Sequence, residues 1–183
     1  MVVIVQKENP VLRKKAKEVL ISEIKSPKIK KIIKDMRKAL AGEEDGVAIA
    51  APQINIPLRI FVVAGKIFNP DIEHNHTNIK NTLEEMKLYP DLVFINPKII
   101  KFSKKKKYLP EGCLSVRWLY GDVQRSTNVS IEAYNENGDK IERGAGGLLA
   151  QIFQHEVDHL DATLFIDKAR NLLEILPEKH EKK

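Results

Sequence analysis

Apolar residues at Ile29, Ile32, Ile33, Met36 and Leu40 recur at the spacing of one helix face, and Gly42 closes the segment. Lys28 to Leu40 therefore reads as an amphipathic helix. The pattern then changes. DGVAIAAPQ, Asp45 to Gln53, is too rich in small residues for an ordinary strand, whereas RIFVVAG, Arg59 to Gly65, is apolar and β-branched enough for a buried one. Lys66 to Pro90 carries Asn-Pro, Glu-His-Asn-His and little periodicity, which predicts a long surface insertion with a turn of helix near Leu83 to Leu88. Leu92 to Ile100 reads as a strand interrupted at Asn96-Pro97, and Val129 to Glu142 alternates about Asn137-Gly138 as a hairpin does. Leu148 to Leu160 follows two glycines, lacks internal proline and glycine, and predicts a largely buried helix. Helix, then strands, then helix is an α+β order. With no repeat and no linker, residues 1–183 are expected to form one domain, in which 66–90 is the insertion and 168–183 a C-terminal helix and basic tail.

Composition narrows this picture. A chain of 183 residues with 43% hydrophobic and 31% charged residues is globular and long enough to bury a core without staples. Its net charge of +6 concentrates in KFSKKKKY, Lys101 to Tyr108, and in the tail EKHEKK. Such runs attract polyanions weakly, but no aromatic residues interleave them as stacking platforms, and a solvated face accounts for them at least as well. Cys113 is the single cysteine, so no internal disulfide can form and a reducing compartment is expected. The start MVVIVQKENP lacks the cationic head and apolar core of a signal peptide, and no apolar run approaches ~20 residues. The expectation is a cytoplasmic protein that does not enter a membrane.

Chemistry enters with QHEVDHL, Gln154 to Leu160. On a helix, His155 and His159 lie one turn apart on one face and can aim both imidazoles at one point. Glu156 points roughly 100° around the axis, where it can reach a metal-activated water without displacing a ligand. Chance would give this pattern on the order of once in a hundred such chains. A structural zinc site would need four ligands. Cys113, in EGCLS, can be a third, and a fourth would have to come from His74, His76 or His180. Three protein ligands with an open position describe a catalytic metal better.

Three blocks in this order, GVAIAAPQ (Gly46 to Gln53), EGCLS (Glu111 to Ser115) and QHEVDHL, resemble the three signature motifs of peptide deformylase, and the resemblance covers essentially the whole chain. It implies an α+β fold with antiparallel or mixed sheets packed around a central helix that carries the H-E-x-x-H motif. It also implies a hydrolase that removes the formyl group from the N-terminal formyl-methionine of nascent polypeptides, at or near the ribosome. The cofactor implied is one divalent metal ion, Fe2+ first, with Zn2+, Ni2+ or Co2+ able to replace it. Cys113, His155 and His159 would be its ligands and Glu156 the general base, while the Gln53 amide and the Leu114 backbone N–H would meet the developing oxyanion. Glu111 and Arg125 would brace the cysteine loop. Gly46 and Ala48 would flank the substrate, and Ile49, Leu148, Gln151 and Ile152 would contribute to the methionine pocket.

Three positions depart from the family pattern. Ala48 stands where a second glycine is usual and Ala162 where a glycine often follows the third block. Gln151 occupies a place commonly apolar, where it can hydrogen-bond in the pocket or rotate away. Two other readings follow from the residues. An H-E-x-x-H peptidase would leave EGCLS idle, and a basic RNA- or ribosome-binding module would have kept the fold and lost turnover.

Overall fold

The computed structural model describes residues 2–69 and 88–176 of the chain. Helix α1 spans Pro27–Ala41; Ser26 caps it by accepting a hydrogen bond from the Ile29 N–H, and proline opens its first turn. Ile29, Ile32, Ile33, Met36 and Leu40 are buried, so the face read from the sequence is the face that packs. It covers strands β1 (Ala48–Ala50) and β2 (Ile60–Val63).

These two strands continue into β3 (Leu92–Phe102), β6 (Asn128–Tyr134) and β7 (Lys140–Gly146) to make one sheet in the order β1-β2-β3-β6-β7. A second sheet is β4 (Lys106–Gly112), β5 (Leu119–Ser126) and β8 (Arg170–Glu174). Every ladder between these strands is antiparallel; the parallel pairing among described residues is an isolated bridge, Lys17 to Leu58. The interruption at Asn96-Pro97 is a register shift in β3. Asn96 has a φ of 51°, and its side chain bonds both the N–H and the carbonyl of Val19, which fixes the irregularity. The hairpin turns at Asn137-Gly138, with Gly138 at φ 81°.

Helix α2, Gly147–Leu160, carries the H-E-x-x-H residues and contacts strands of both sheets. Phe153 packs edge-on to Phe94, which stacks on Phe61 at 4.7 Å, and this aromatic group fixes the helix on the larger sheet. Ala162, just past the helix, takes a φ of 65°. A methyl group in that left-handed conformation is costly, so Ala162→Gly is expected to stabilise the fold by about 0.5–1 kcal/mol, read as a higher thermal midpoint.

The expected C-terminal helix is corrected. Residues 170–174 form strand β8 instead, because the free edge of β5 offers Leu119, Tyr120 and Asp122 as ladder partners. Asn171, at φ 54°, turns its amide onto Asp122, and Gly121 lets Leu172 approach. Residues 177–183 and most of the 66–90 insertion, with its expected helical turn, lie outside the described residues. The ends of that insertion meet at Gly65, whose N–H bonds Asp91 and where a Cβ would fall 1.7 Å from the Tyr89 carbonyl oxygen. None of the described helices is long and apolar enough to cross a membrane.

Candidate active site

Cys113 follows the last residue of β4, in a turn closed by the Val116 N–H on the Cys113 carbonyl. Its sulfur accepts the Ser115 N–H at 3.4 Å and stands 3.2 Å from His159 Nε2. The His155 and His159 rings are 4.9 Å apart, and one ligand atom from each of Cys113, His155 and His159 lies within 4.8 Å of the others. A thiolate and two imidazoles suit iron, zinc, nickel or cobalt better than calcium or magnesium. His74, His76 and His180, the candidates for a fourth ligand, lie outside the described residues.

Glu111 Oε2 is 3.0 Å from His155 Nδ1, which leaves His155 Nε2 for the point shared with Cys113 and His159. Glu111 is held in turn by Arg125, whose Nε and Nη2 donate to its two oxygens at 2.7 and 2.9 Å. This is a buried pair, with side chains 3% and 4% exposed, and not the weak surface contact that such residues usually make. Asp158, which the sequence reading missed, accepts from Arg125 Nη1 at 2.6 Å and from Lys168. Burial acts to raise the Glu111 pKa, but hydrogen bonds from Arg125 and His155 outweigh it and lower the pKa to about 2. A lowered carboxylate pKa stabilises the fold above the ordinary value of 4.5, and that contribution fades as pH falls toward 2. Arg125→Ala, which would strand the buried Glu111 charge, is expected to cost about 3–5 kcal/mol in a denaturant melt at pH 7.

Glu156 is buried, and its Oε2 has no hydrogen-bond partner among the described residues. Burial raises its pKa to about 7; His155 pulls it down and Glu111 pushes it further up. A carboxylate with a spare acceptor and a pKa near neutrality is suited to exchange protons with a nucleophile. Gln53 brings a side-chain amide to the sulfur. Its Oε1 accepts the Ala50 N–H at 2.8 Å, which turns Nε2 toward Ser115 Oγ at 3.1 Å and Cys113 Sγ at 3.6 Å. Leu114 is buried next to the cysteine, its carbonyl held by Gln6.

These groups open on a cavity of about 350 Å³ lined by His155, Glu156, Gln53, Cys113 and Leu114. Gly46, Ala48, Leu148, Gln151 and Ile152 line it, and so does Val47. Ile49 does not. Side chains alternate along β1, so Ile49 is fully buried in the core beneath α1 and Ala48 faces the cavity side. Packing favours glycine at 46, since a Cβ there would lie 2.9 Å from Leu40 Cδ1 and 3.2 Å from the Glu43 carbonyl oxygen. Gln151 has not rotated away: its Nε2 donates to the Pro110 carbonyl at 2.9 Å and contacts Glu111 Oε1 at 3.4 Å. Asp45, Arg117, Trp118 and Tyr120 also border the cavity, and no periodicity in the sequence marks them.

A family model described as polypeptide deformylase matches residues 1–174. Among similar curated proteins, chloroplastic/mitochondrial peptide deformylase 1A of Arabidopsis thaliana is 40% identical over 167 residues, covering 90% of this chain and 60% of the relative. Peptide deformylase 2 of Clostridium acetobutylicum is 38% identical over 160 residues, covering 87% and 89%. The chain thus spans less than two thirds of the plant relative and most of the bacterial one. Among solved structures, a class I type b peptide deformylase from Acinetobacter baumannii with Met-Ala-Ser bound superposes with a TM-score of 0.75 at 29% identity, covering 92% of this chain and 98% of that one. A Plasmodium falciparum peptide deformylase gives 0.75 at 35% identity, covering 92% and 86%.

Proposed function

From its membership of the polypeptide deformylase family, to which this chain belongs, we propose that the protein hydrolyses the formyl group from N-terminal formyl-methionine of nascent polypeptides and releases formate. The observation that carries this reading is the cluster of Cys113, His155 and His159 beside a cavity that Cys113, His155, the buried Glu156 and Gln53 line.

Cys113, His155 and His159 hold one divalent cation, ferrous iron as the resemblance implies, with zinc, nickel or cobalt able to use the same donors. When bound, that cation supplies Lewis acidity, which brings the acidity of water toward neutral pH. Glu156 accepts the proton of the attacking water and returns it to the amine, so the C–N bond breaks with a neutral leaving group. Gln53 Nε2 and the Leu114 N–H donate to the formyl oxygen as it gains negative charge. Glu111 and Arg125 brace His155 and the cysteine turn.

Strand β1 is an edge of its sheet, so an extended peptide can add beside Gly46, Val47 and Ala48 as a further strand. Leu148, Ile152 and the stem of Gln151 then enclose the methionine side chain. The setting proposed is the cytoplasm, at or near the ribosome, where formylated chains arise. A peptidase using H-E-x-x-H alone gains no support, because Cys113 is engaged beside His159. A binding module that has lost turnover gains none either, because every ligand and the base are present.

Protein purified anaerobically with ferrous iron is expected to release one formate per free amine from a short formyl-Met peptide. Chelation should abolish release and added ferrous iron restore it. Absence of formate from correctly loaded protein would overturn the reading.

A further inference from the structure

The cavity wall includes Asp45, Arg117 and Trp118, which the proposed hydrolysis does not use. The Asp45 side chain is 58% exposed, which puts this group at the solvent end. Arg117 Nη1 donates to Asp45 Oδ2 at 2.6 Å; Nη2 donates to Asp45 Oδ1 at 3.1 Å and also to Glu43. Glu43 and Asp45 precede β1, while Arg117 follows the cysteine turn, so these bonds tie together two walls separated by 72 residues of sequence. Both terminal nitrogens of Arg117 are occupied, and its positive charge is matched by carboxylates; it presents no free cation to a substrate.

What it supports is an aromatic ring. The guanidinium carbon of Arg117 lies 5.2 Å from the centroid of the Trp118 ring. Trp118 is the chain's single tryptophan and sits at φ 65°, a conformation that bulky residues rarely adopt and glycine takes freely. A side chain held against its local backbone preference needs surroundings that fix it, and such positions concentrate at ligand sites. Here the Ile175 N–H holds the Trp118 carbonyl at 2.8 Å, and the ring lies beside a guanidinium that the ion pairs across the cavity mouth fix.

We propose that Glu43, Asp45, Arg117 and Trp118 form a specificity-determining wall at the outer end of the cleft. The side chain of the substrate residue after methionine packs on the indole face, so aromatic or large apolar residues are preferred there over small ones. Trp118 is the contact, and Arg117 with its two carboxylates positions it. This inference rests on the deformylase reading.

The test compares formyl-Met-Ala-Ser with formyl-Met-Phe-Ser in turnover, and Met-Ala-Ser with Met-Phe-Ser in binding to the metal-loaded protein, followed by Trp118 emission and by calorimetry. The phenylalanine peptides are expected to be favoured about 3- to 10-fold in KM and Kd, with emission shifting as the site fills. Trp118→Gly, which relieves the backbone, should keep or raise the thermal midpoint while the preference falls toward one. Arg117→Gln keeps the indole and should lower the preference partway, a readout that stands even if the glycine variant folds poorly. A preference unchanged in Arg117→Gln, or emission that stays fixed while calorimetry shows saturation, would overturn the wall. Absence of formate from both formyl peptides would instead overturn the deformylase reading, and the product-peptide binding would still decide the wall.

Discussion

Glu156→Gln is expected to lower kcat about 10²- to 10⁴-fold while bound metal and KM stay near those of the parent. The amide matches the carboxylate in shape and fills the same buried site, but it cannot take a proton from water and return it to the amine. The pH dependence follows. With burial raising the Glu156 pKa to about 7, activity should climb as pH rises through the base's ionisation, and a cation beside it will move that limb lower. The limb should be missing from the residual activity of the variant.

Stability runs the other way. A carboxylate whose folded pKa is raised binds its proton more tightly in the folded chain, so stability is lost as pH rises from the ordinary 4.5 toward 7. In metal-free protein at pH 8 the variant should therefore be more stable than the parent, by an amount on the order of 3 kcal/mol. Rate, metal content and thermal midpoints across pH 5–9 test all three consequences. A variant keeping more than about a tenth of parental kcat would move the base to another group.

What the sequence exposed and what it hid divide along physical lines. Periodicity located α1 because it buries one continuous face, a run without proline or internal glycine marked the largely buried H-E-x-x-H helix, and Asn137-Gly138 marked a turn because Gly138 needs its positive φ. The direction of Ile49 was not legible: three residues of strand flanked by small ones give alternation too little length to declare a face. The C-terminal helix expected within 168–183 gives way to strand β8 because the open edge of β5 decides the outcome, which is tertiary pairing overriding local preference. Asp158 and Arg117 escaped for a related reason. Each works through ion pairs to chain segments remote in sequence, Arg125 in one case and Glu43 and Asp45 in the other. Nothing local distinguishes such residues from charges on a solvated face.

Cys113→Ala is expected to abolish stable metal binding and to cut formate release on the order of 10³-fold or more, since Lewis acidity is worth several kcal/mol to the reaction. Cysteine also has plain packing contacts and accepts the Ser115 N–H, so the experiment must separate a lost ligand from a loosened turn. The separation comes from linkage. A metal that binds only the folded chain stabilises it by about 2.7 kcal/mol at a hundredfold excess over Kd. The parent's thermal midpoint should thus rise on adding ferrous or zinc ions, and that of the variant should not move. A loosened turn alone would lower both midpoints and leave the rise intact. Cys113→Ser should fall between, because a hydroxyl is a harder and weaker donor for these ions than a thiolate. An alanine variant that still shows the rise, still retains one ion after dialysis and still yields formate would place the third ligand elsewhere in the chain.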